Sequence, residues 1–184
     1  VNHFKERSMK IVNWNCFRAF RNKYKALLEH YPDADIYIIQ ECENPYFVDD
    51  DGYRTMFRNG FHVGPHSQGL ALFAKENVRL QRLPWQGLGA DGYSFAPTLV
   101  DGRFTIIPTW TQKPYTKELH DFLDANLKRF DENTLMIGDF NSSSVFDGKT
   151  PKGQTHTDFV SRISERGLLP IYHHLTGEAQ GMES

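Results

Sequence analysis

Cysteine is nearly missing from this chain, with only Cys16 and Cys42 among 184 residues. Two thiols cannot build a disulfide framework of the secreted kind or a cysteine-rich zinc site. A reducing, cytoplasmic setting is the simplest expectation, and there the sequon Asn141-Ser142-Ser143 carries no sugar. Long hydrophobic runs are missing as well. No segment approaches the roughly 18 apolar residues that a membrane-spanning helix requires, and no charged-then-apolar signal segment opens the chain. Excess charge of one sign is the third absence. Lys and Arg number 21 against 23 Asp and Glu, for a net charge of −2, so no bulk basic field announces a nucleic-acid partner. Internal repeats, low-complexity tracts and Pro/Ser-rich linkers are absent too.

What remains is the composition of a packed globule: 39% hydrophobic and 14% aromatic residues argue against disorder. The length suits a single domain that buries a core without covalent staples. We read residues 9–184 as that domain and residues 1–8 as a short arm or an expression remnant. Charge is balanced in total but not along the chain. Residues 1–30 hold seven basic and two acidic side chains, whereas residues 31–52 hold seven acidic and no basic ones. The expectation is a solvated helix face followed by an acidic loop, Asp49-Asp50-Asp51-Gly52, without the ligand spacing of an EF-hand.

Periodicity gives a coarse map. Lys10–Cys16 reads as a strand, Arg18–Tyr31 as a helix ended by Pro32, and Asp35–Gln40 as a short buried strand. From Tyr53 to Pro108 the pattern is of successive short strands broken by Gly and Pro, with Gly69–Ala74, Val78–Leu83, Tyr93–Val100 and Arg103–Pro108 as members. Helices follow at Tyr115–Phe130 and from Thr155 to Gly167, with the strand Thr134–Phe140 between them. The Thr155-x-x-Asp158 spacing is that of a capping box.

Several polar residues stand within or at the ends of these buried runs. They are Asn13 and Asn15 in the first strand, Glu41 after Ile38-Ile39-Gln40, and Asp139 and Asn141 in Leu135-Met136-Ile137-Gly138-Asp139-Phe140-Asn141. Strand ends are where a rigid scaffold places function. The period of 2 puts Asn13 with Asn15, and Asp139 with Asn141, on common faces. Two carboxylates and neutral amides form an oxygen-rich set that suits a hard divalent cation. Such an ion polarises a phosphoryl oxygen and activates water, and an amide nearby can donate to a phosphate oxygen. Taken singly, each residue is better explained as a turn former or loop cap.

In combination, these segments resemble the endonuclease/exonuclease/phosphatase superfamily, the deoxyribonuclease-I-like metal-dependent phosphoesterases. The resemblance rests on Lys10-Ile11-Val12-Asn13-Trp14-Asn15-Cys16, Ile38-Ile39-Gln40-Glu41-Cys42, Gly69-Leu70-Ala71-Leu72-Phe73-Ala74-Lys75 and Gly138-Asp139-Phe140-Asn141-Ser142, in family order across residues 9–142. It implies an α+β fold: a four-layer sandwich of two packed, mostly antiparallel β-sheets flanked by helices. It also implies a Mg²⁺- or Mn²⁺-dependent hydrolase that cleaves phosphate esters by direct attack of water. On that analogy Glu41 is the main metal ligand with Asn15 assisting, Asp139 orients or deprotonates the water, and Asn141 holds the phosphate.

The chain departs from the family pattern in two places. Trp110, in Ile106-Ile107-Pro108-Thr109-Trp110-Thr111, stands where the family carries a phosphate-contacting His or Tyr, and an indole donates one hydrogen bond but cannot act as acid or base. The Asp-His pair with which the family closes does not follow Asn141, so the last strands are expected beyond Ser184. His156, His173 and His174 read as ordinary surface or core residues; the last two, placed on a strand, would face opposite ways. His62 and His66, flanking Gly64-Pro65, read as loop residues of the same kind. Gly148-Lys149-Thr150 imitates the end of a phosphate-binding loop, but Ser143 replaces its leading Gly.

The substrate stays open among nucleic acid, nucleotides, phospholipid headgroups and inositol phosphates. Arg18, with Arg21, Lys23 and Lys25, could face a phosphate backbone or simply be solvated. The alternative to an enzyme is a binding module of the same fold, holding nucleic acid or a phosphorylated ligand without turnover. The oligomeric state is not encoded in any recognisable pattern.

Overall fold

A computed structural model describes residues 8–178. The arm expected over residues 1–8, apart from Ser8, lies outside the described residues, as does the chain from Ala179 onward. The chain divides at Arg79/Leu80 into two compact units.

In the first unit the order is β1 (Ile11–Asn15), α1 (Tyr24–His30), β2 (Ile36–Cys42), α2 (Asp51–Met56), β3 (Gly60–Val63) and β4 (Gly69–Ala74). The sheet runs β1-β2-β4-β3, with β1 and β2 parallel and the other pairs antiparallel. All of β4 is buried, which explains its uninterrupted apolar sequence. One face of the sheet carries Val12 and Trp14, Tyr37 and Ile39, and Ala71 and Phe73; against it pack Phe20, Tyr24, Leu27, Tyr53 and Phe57. Edge-on contacts such as Phe20–Tyr53 (5.8 Å) and Tyr24–Tyr53 (5.4 Å) order these rings.

Three expectations change here. The first helix starts at Tyr24 rather than Arg18, because Phe17, Arg18 and Ala19 have φ of 51°, 63° and 51°. That left-handed run is closed by a 3-10 turn at Phe20–Asn22 and held by Lys23, whose Nζ donates to the carbonyls of Cys16 and Arg18. The acidic stretch is not a loop but the start of α2. Asp50 caps it, accepting from Tyr53 N at 3.0 Å and from the Tyr24 hydroxyl at 3.0 Å. The amide of Tyr53 holds the Asp50 carboxyl below the usual range. His62 belongs to β3 rather than a loop.

In the second unit the order is β5 (Leu80–Arg82), β6 (Thr98–Val100), β7 (Phe104–Trp110), α3 (Tyr115–Asn126), β8 (Thr134–Asp139), α4 (His156–Ser164) and α5 (Ile171–Thr176). Its sheet runs β5-β6-β7-β8, parallel only between β7 and β8. Leu119, Phe122 and Leu123 of α3 and Phe159 of α4 pack with Ile107 and Met136 of the sheet. The capping box forms as the spacing predicted: Thr155 Oγ1 accepts from Asp158 N at 3.0 Å and Asp158 Oδ2 accepts from Thr155 N at 3.0 Å. Between α3 and α4, Arg162 reaches His120 Nδ1 at 2.9 Å while His120 Nε2 lies 3.0 Å from the Thr155 carbonyl. Arginine only donates, so Nδ1 accepts and the Nε2 proton goes to Thr155. His173 and His174 lie on helix α5, not on a strand, so the opposite-face argument lapses; Pro170 opens that helix.

Two four-stranded sheets, antiparallel in four of their six pairings and each carrying helices, make the α+β architecture that the resemblance implied.

Candidate active site

In the first unit the polar cluster gathers where β1 and β2 end. Along β2, Tyr37 and Ile39 point into the helix-side core, and strict alternation would send Glu41 after them among the aromatic rings. Instead the pairing with β4 slips between Gln40 and Cys42, and Glu41 takes φ +64°. This one-residue bulge puts Cys42, not Glu41, back into the apolar cluster. The freed carboxylate accepts from Asn15 Nδ2 at 3.0 Å on one oxygen and from Gln68 Nε2 at 2.9 Å on the other. Left-handed backbone at a non-glycine residue costs of order 1–3 kcal/mol, which the burial of a single core aromatic, about 1.5–3 kcal/mol, offsets. Asn15 is set in turn by Phe17 N, which donates to its Oδ1 at 3.0 Å. One step back on the same face, Gln40 Nε2 donates to Asn13 Oδ1 at 2.8 Å.

In the second unit Asp139 and Asn141 are brought together by backbone. Asn141 N donates to Asp139 Oδ1 at 2.9 Å and Asn141 Nδ2 to the Thr111 carbonyl at 3.1 Å. Thr111 N donates to the Asp139 carbonyl at 3.2 Å. Asn141 has φ +45°, a conformation asparagine tolerates better than most residues. Its amide keeps a second N–H to give. Gly138 makes the strand end feasible: a Cβ there would sit 1.9 Å from the Thr109 carbonyl oxygen of β7. Ser142 Oγ lies 2.9 Å from His156 Nδ1, which ties the loop after Asn141 to the start of α4.

The two weaker expectations fare differently from the core set. Trp110 closes β7 in register with Asp139 and is only 6% exposed, with its ring 6.1 Å from that of Tyr93. Arg18 is exposed, and its carbonyl accepts from Lys23. Sequence reading missed Gln68, a lone Gln in the loop Gly64-Pro65-His66-Ser67 before β4, which no motif marks. Both cysteines are free and buried. Burial pushes the Cys16 thiol up to about 12 and raises Cys42 as well, so neither is a nucleophile.

Among the described residues no three His, Cys, Asp or Glu side chains gather as a metal cage. The Glu41 carboxylate, braced by the side-chain N–H groups of Asn15 and Gln68, is a hard oxygen donor of the kind that suits Mg²⁺ or Mn²⁺, since such ions retain several waters and need only one or two carboxylates.

The chain belongs to the endonuclease/exonuclease/phosphatase family, whose model matches residues 12–161. No curated protein matches it by sequence. Among solved structures it resembles a 3′-5′ exonuclease (NExo) from Neisseria meningitidis, with a TM-score of 0.65 at 14% identity, covering 93% of this chain and 76% of that one. An AP endonuclease from Archaeoglobus fulgidus gives a TM-score of 0.62 at 18% identity, over 91% of this chain and 74% of that one. The D. rerio TDP2 complexed with a single-strand DNA product gives 0.51 at 13% identity, over 92% and 71%. Among the described residues no helix is long and apolar enough to cross a membrane.

Proposed function

We propose that this chain is a divalent-metal-dependent phosphoesterase that hydrolyses a phosphodiester by attack of water. The observation that carries the reading is the bulge at Glu41, which spends backbone strain to take a carboxylate out of an apolar cluster and hand it to Asn15 and Gln68. Glu41, with Asn15 beside it, would hold Mg²⁺ or Mn²⁺. Bound there, the ion supplies a Lewis acid for the phosphoryl oxygen and lowers the pKa of water. Asp139, with one oxygen fixed by the Asn141 amide, orients the attacking water and takes its proton. The remaining N–H of the Asn141 side chain donates to a nonbridging phosphate oxygen as charge develops there. Nucleic acid is the favoured substrate class, since the structural neighbours include nucleases and a DNA complex. The family match, over residues 12–161, runs through the boundary at Arg79/Leu80, which supports reading the two units as parts of one domain whose last strands are expected beyond Ser184. Buried, unpaired Cys16 and Cys42 suit a reducing compartment such as the cytoplasm.

Trp110 supports a second reading. A buried indole stands where the resemblance leads one to expect a His or Tyr, so the fold could bind phosphate esters without turning them over. Hydrolysis of a chromogenic phosphodiester with Mg²⁺, with Mn²⁺ and with chelator separates the two. The enzyme reading expects metal-dependent turnover that falls about 10³-fold or more in Asp139→Ala and in Glu41→Ala, with melting temperatures within a few degrees of the parent. Undiminished turnover in either variant sinks the assigned roles, and no turnover with any metal favours the binding module.

A further inference from the structure

Beside the Glu41 cluster, within the same unit, lies a hollow of about 350 Å³ that the proposed hydrolysis does not use. Its wall includes Arg21, Glu43, Phe47, Asp49, His66 and Ser67. Two segments form it. The chain after Glu41 passes through a 3-10 turn at Pro45–Phe47, begun by Asn44, whose Oδ1 accepts from Tyr46 N. The loop before β4 meets it where Asn44 N donates to the His66 carbonyl at 2.9 Å. The Phe47 and His66 rings then stack, with centroids 3.6 Å apart and planes 15° from parallel. Phe47 remains 62% exposed, and Tyr46 next to it 87%.

This is an unusual place to leave aromatic surface. The apolar cluster of the unit takes in Phe20, Tyr53, Phe57 and Phe73 almost completely, so these rings are not spare core. Two flush rings present a flat face rather than the extended apolar wall that an acyl chain needs. The rim is polar: Asp49 is exposed, Ser67 is exposed, and the half-exposed Arg21 guanidinium is anchored by buried Glu43. The acidic groups disfavour an anionic lipid surface. A planar heterocycle with hydrogen-bonding edges and a phosphate alongside matches all of this, because aromatic side chains stack any base and leave sequence unread. His66 is two residues from Gln68, at most about 7 Å along the chain, and Gln68 holds Glu41.

We propose that the Phe47–His66 pair is a stacking platform for an unpaired nucleobase next to the phosphate handled at Glu41, so that the substrate is a nucleic acid with a single-stranded or frayed segment. The assignment rests on the reading of Glu41 as the phosphate-side centre. Arg21 supplies positive charge for the flanking phosphate, and Tyr46 extends the platform along the strand.

A single-stranded oligonucleotide carrying 2-aminopurine tests it, with Ca²⁺ replacing Mg²⁺ so that no turnover intervenes. Stacking on the platform quenches the fluorescence. The parent chain should quench the single strand and bind it at least about fivefold more tightly than the same sequence in duplex. Phe47→Leu keeps the apolar volume without the ring, and its affinity should fall about 5- to 100-fold. Phe47→Trp should bind at least as tightly as the parent. No quenching by the parent, or an unchanged affinity in Phe47→Leu with its melting temperature preserved, overturns the platform. The ester assay fails independently: a chain that hydrolyses the chromogenic ester but does not quench loses only the platform, and one that quenches but never hydrolyses loses only the esterase reading.

Discussion

The two units solve one problem in different ways. Each contains a parallel pair bridged by a helix, β1-α1-β2 in the first and β7-α3-β8 in the second, and each carries a carboxylate in the last two residues of its second strand, Glu41 or Asp139. At the matching end of the first strand stands Asn15 in one unit and Trp110 in the other. In the first unit the carboxylate sits on an internal strand and is gripped by side chains, Asn15 and Gln68. In the second it ends the outermost described strand of its sheet and is positioned by main chain, through Asn141 N and the Thr111–Asp139 contact. Side-chain wiring can be cut without unfolding anything. Backbone wiring can be broken only by disturbing the strand itself.

The largest effect expected from that contrast is on stability and belongs to the second unit. Gly138→Ala puts a methyl group against the Thr109 carbonyl, so β7 and β8 must part. The loss should be about 3 kcal/mol, seen as a fall of about 6–12 °C in Tm; a fall under about 2 °C would show that β8 adapts and that its backbone is not what fixes Asp139. In the first unit Gln68→Ala should leave Tm nearly unchanged yet lower activity about 10- to 100-fold, with a higher Mg²⁺ concentration for half-maximal rate. Equal Mg²⁺ dependence in variant and parent would remove Gln68 from the site. The smallest effect is one of pH. Burial lowers the pKa of His62 below 6.5 even though Cys42 O lies 3.0 Å from its Nε2. Below the unfolded value the unfolded chain binds the proton more readily, so this contribution is whole above about pH 6.5 and fades as pH falls toward the lowered folded value. Hydrogen-exchange protection at β3 and β4, corrected for the intrinsic rate at each pH, should therefore fall between pH 6.5 and 5 in the parent and less so in His62→Gln; identical profiles would show that another group governs it.

Much of this was legible in sequence, and the exceptions have physical causes. Gly69–Ala74 was readable to the residue because a strand buried on both faces cannot hide a polar side chain. Thr155 and Asp158 announced α4 because a capping box is a local chemical contract. The helix Asp51–Met56 was not seen, since three aspartates before a glycine look like a loop until Asp50 is known to cap Tyr53. Its six residues are too few for a period to show. Asn15, Glu41, Asp139 and Asn141 stood out as polar residues at the ends of apolar runs. Gln68 did not, because a hydrogen bond across the sheet leaves no trace in local spacing. Nor did the bulge, since the apolar run Ile36-Tyr37-Ile38-Ile39 carries no local mark of a register slip after Gln40.

That bulge also sets a limit on how this chain can drift. A β2 strand one residue shorter, with its ladder to β4 unbroken, would be the more regular strand, and its acidic side chain would face Phe20 and Tyr53. Replacing that acid with a Val or Ile would then finish a better core. Selection for solidity alone therefore leads away from the site in two small steps, a deletion and an apolar replacement. On the role proposed for Glu41, the irregular strand is the form that keeps the carboxylate outside the core.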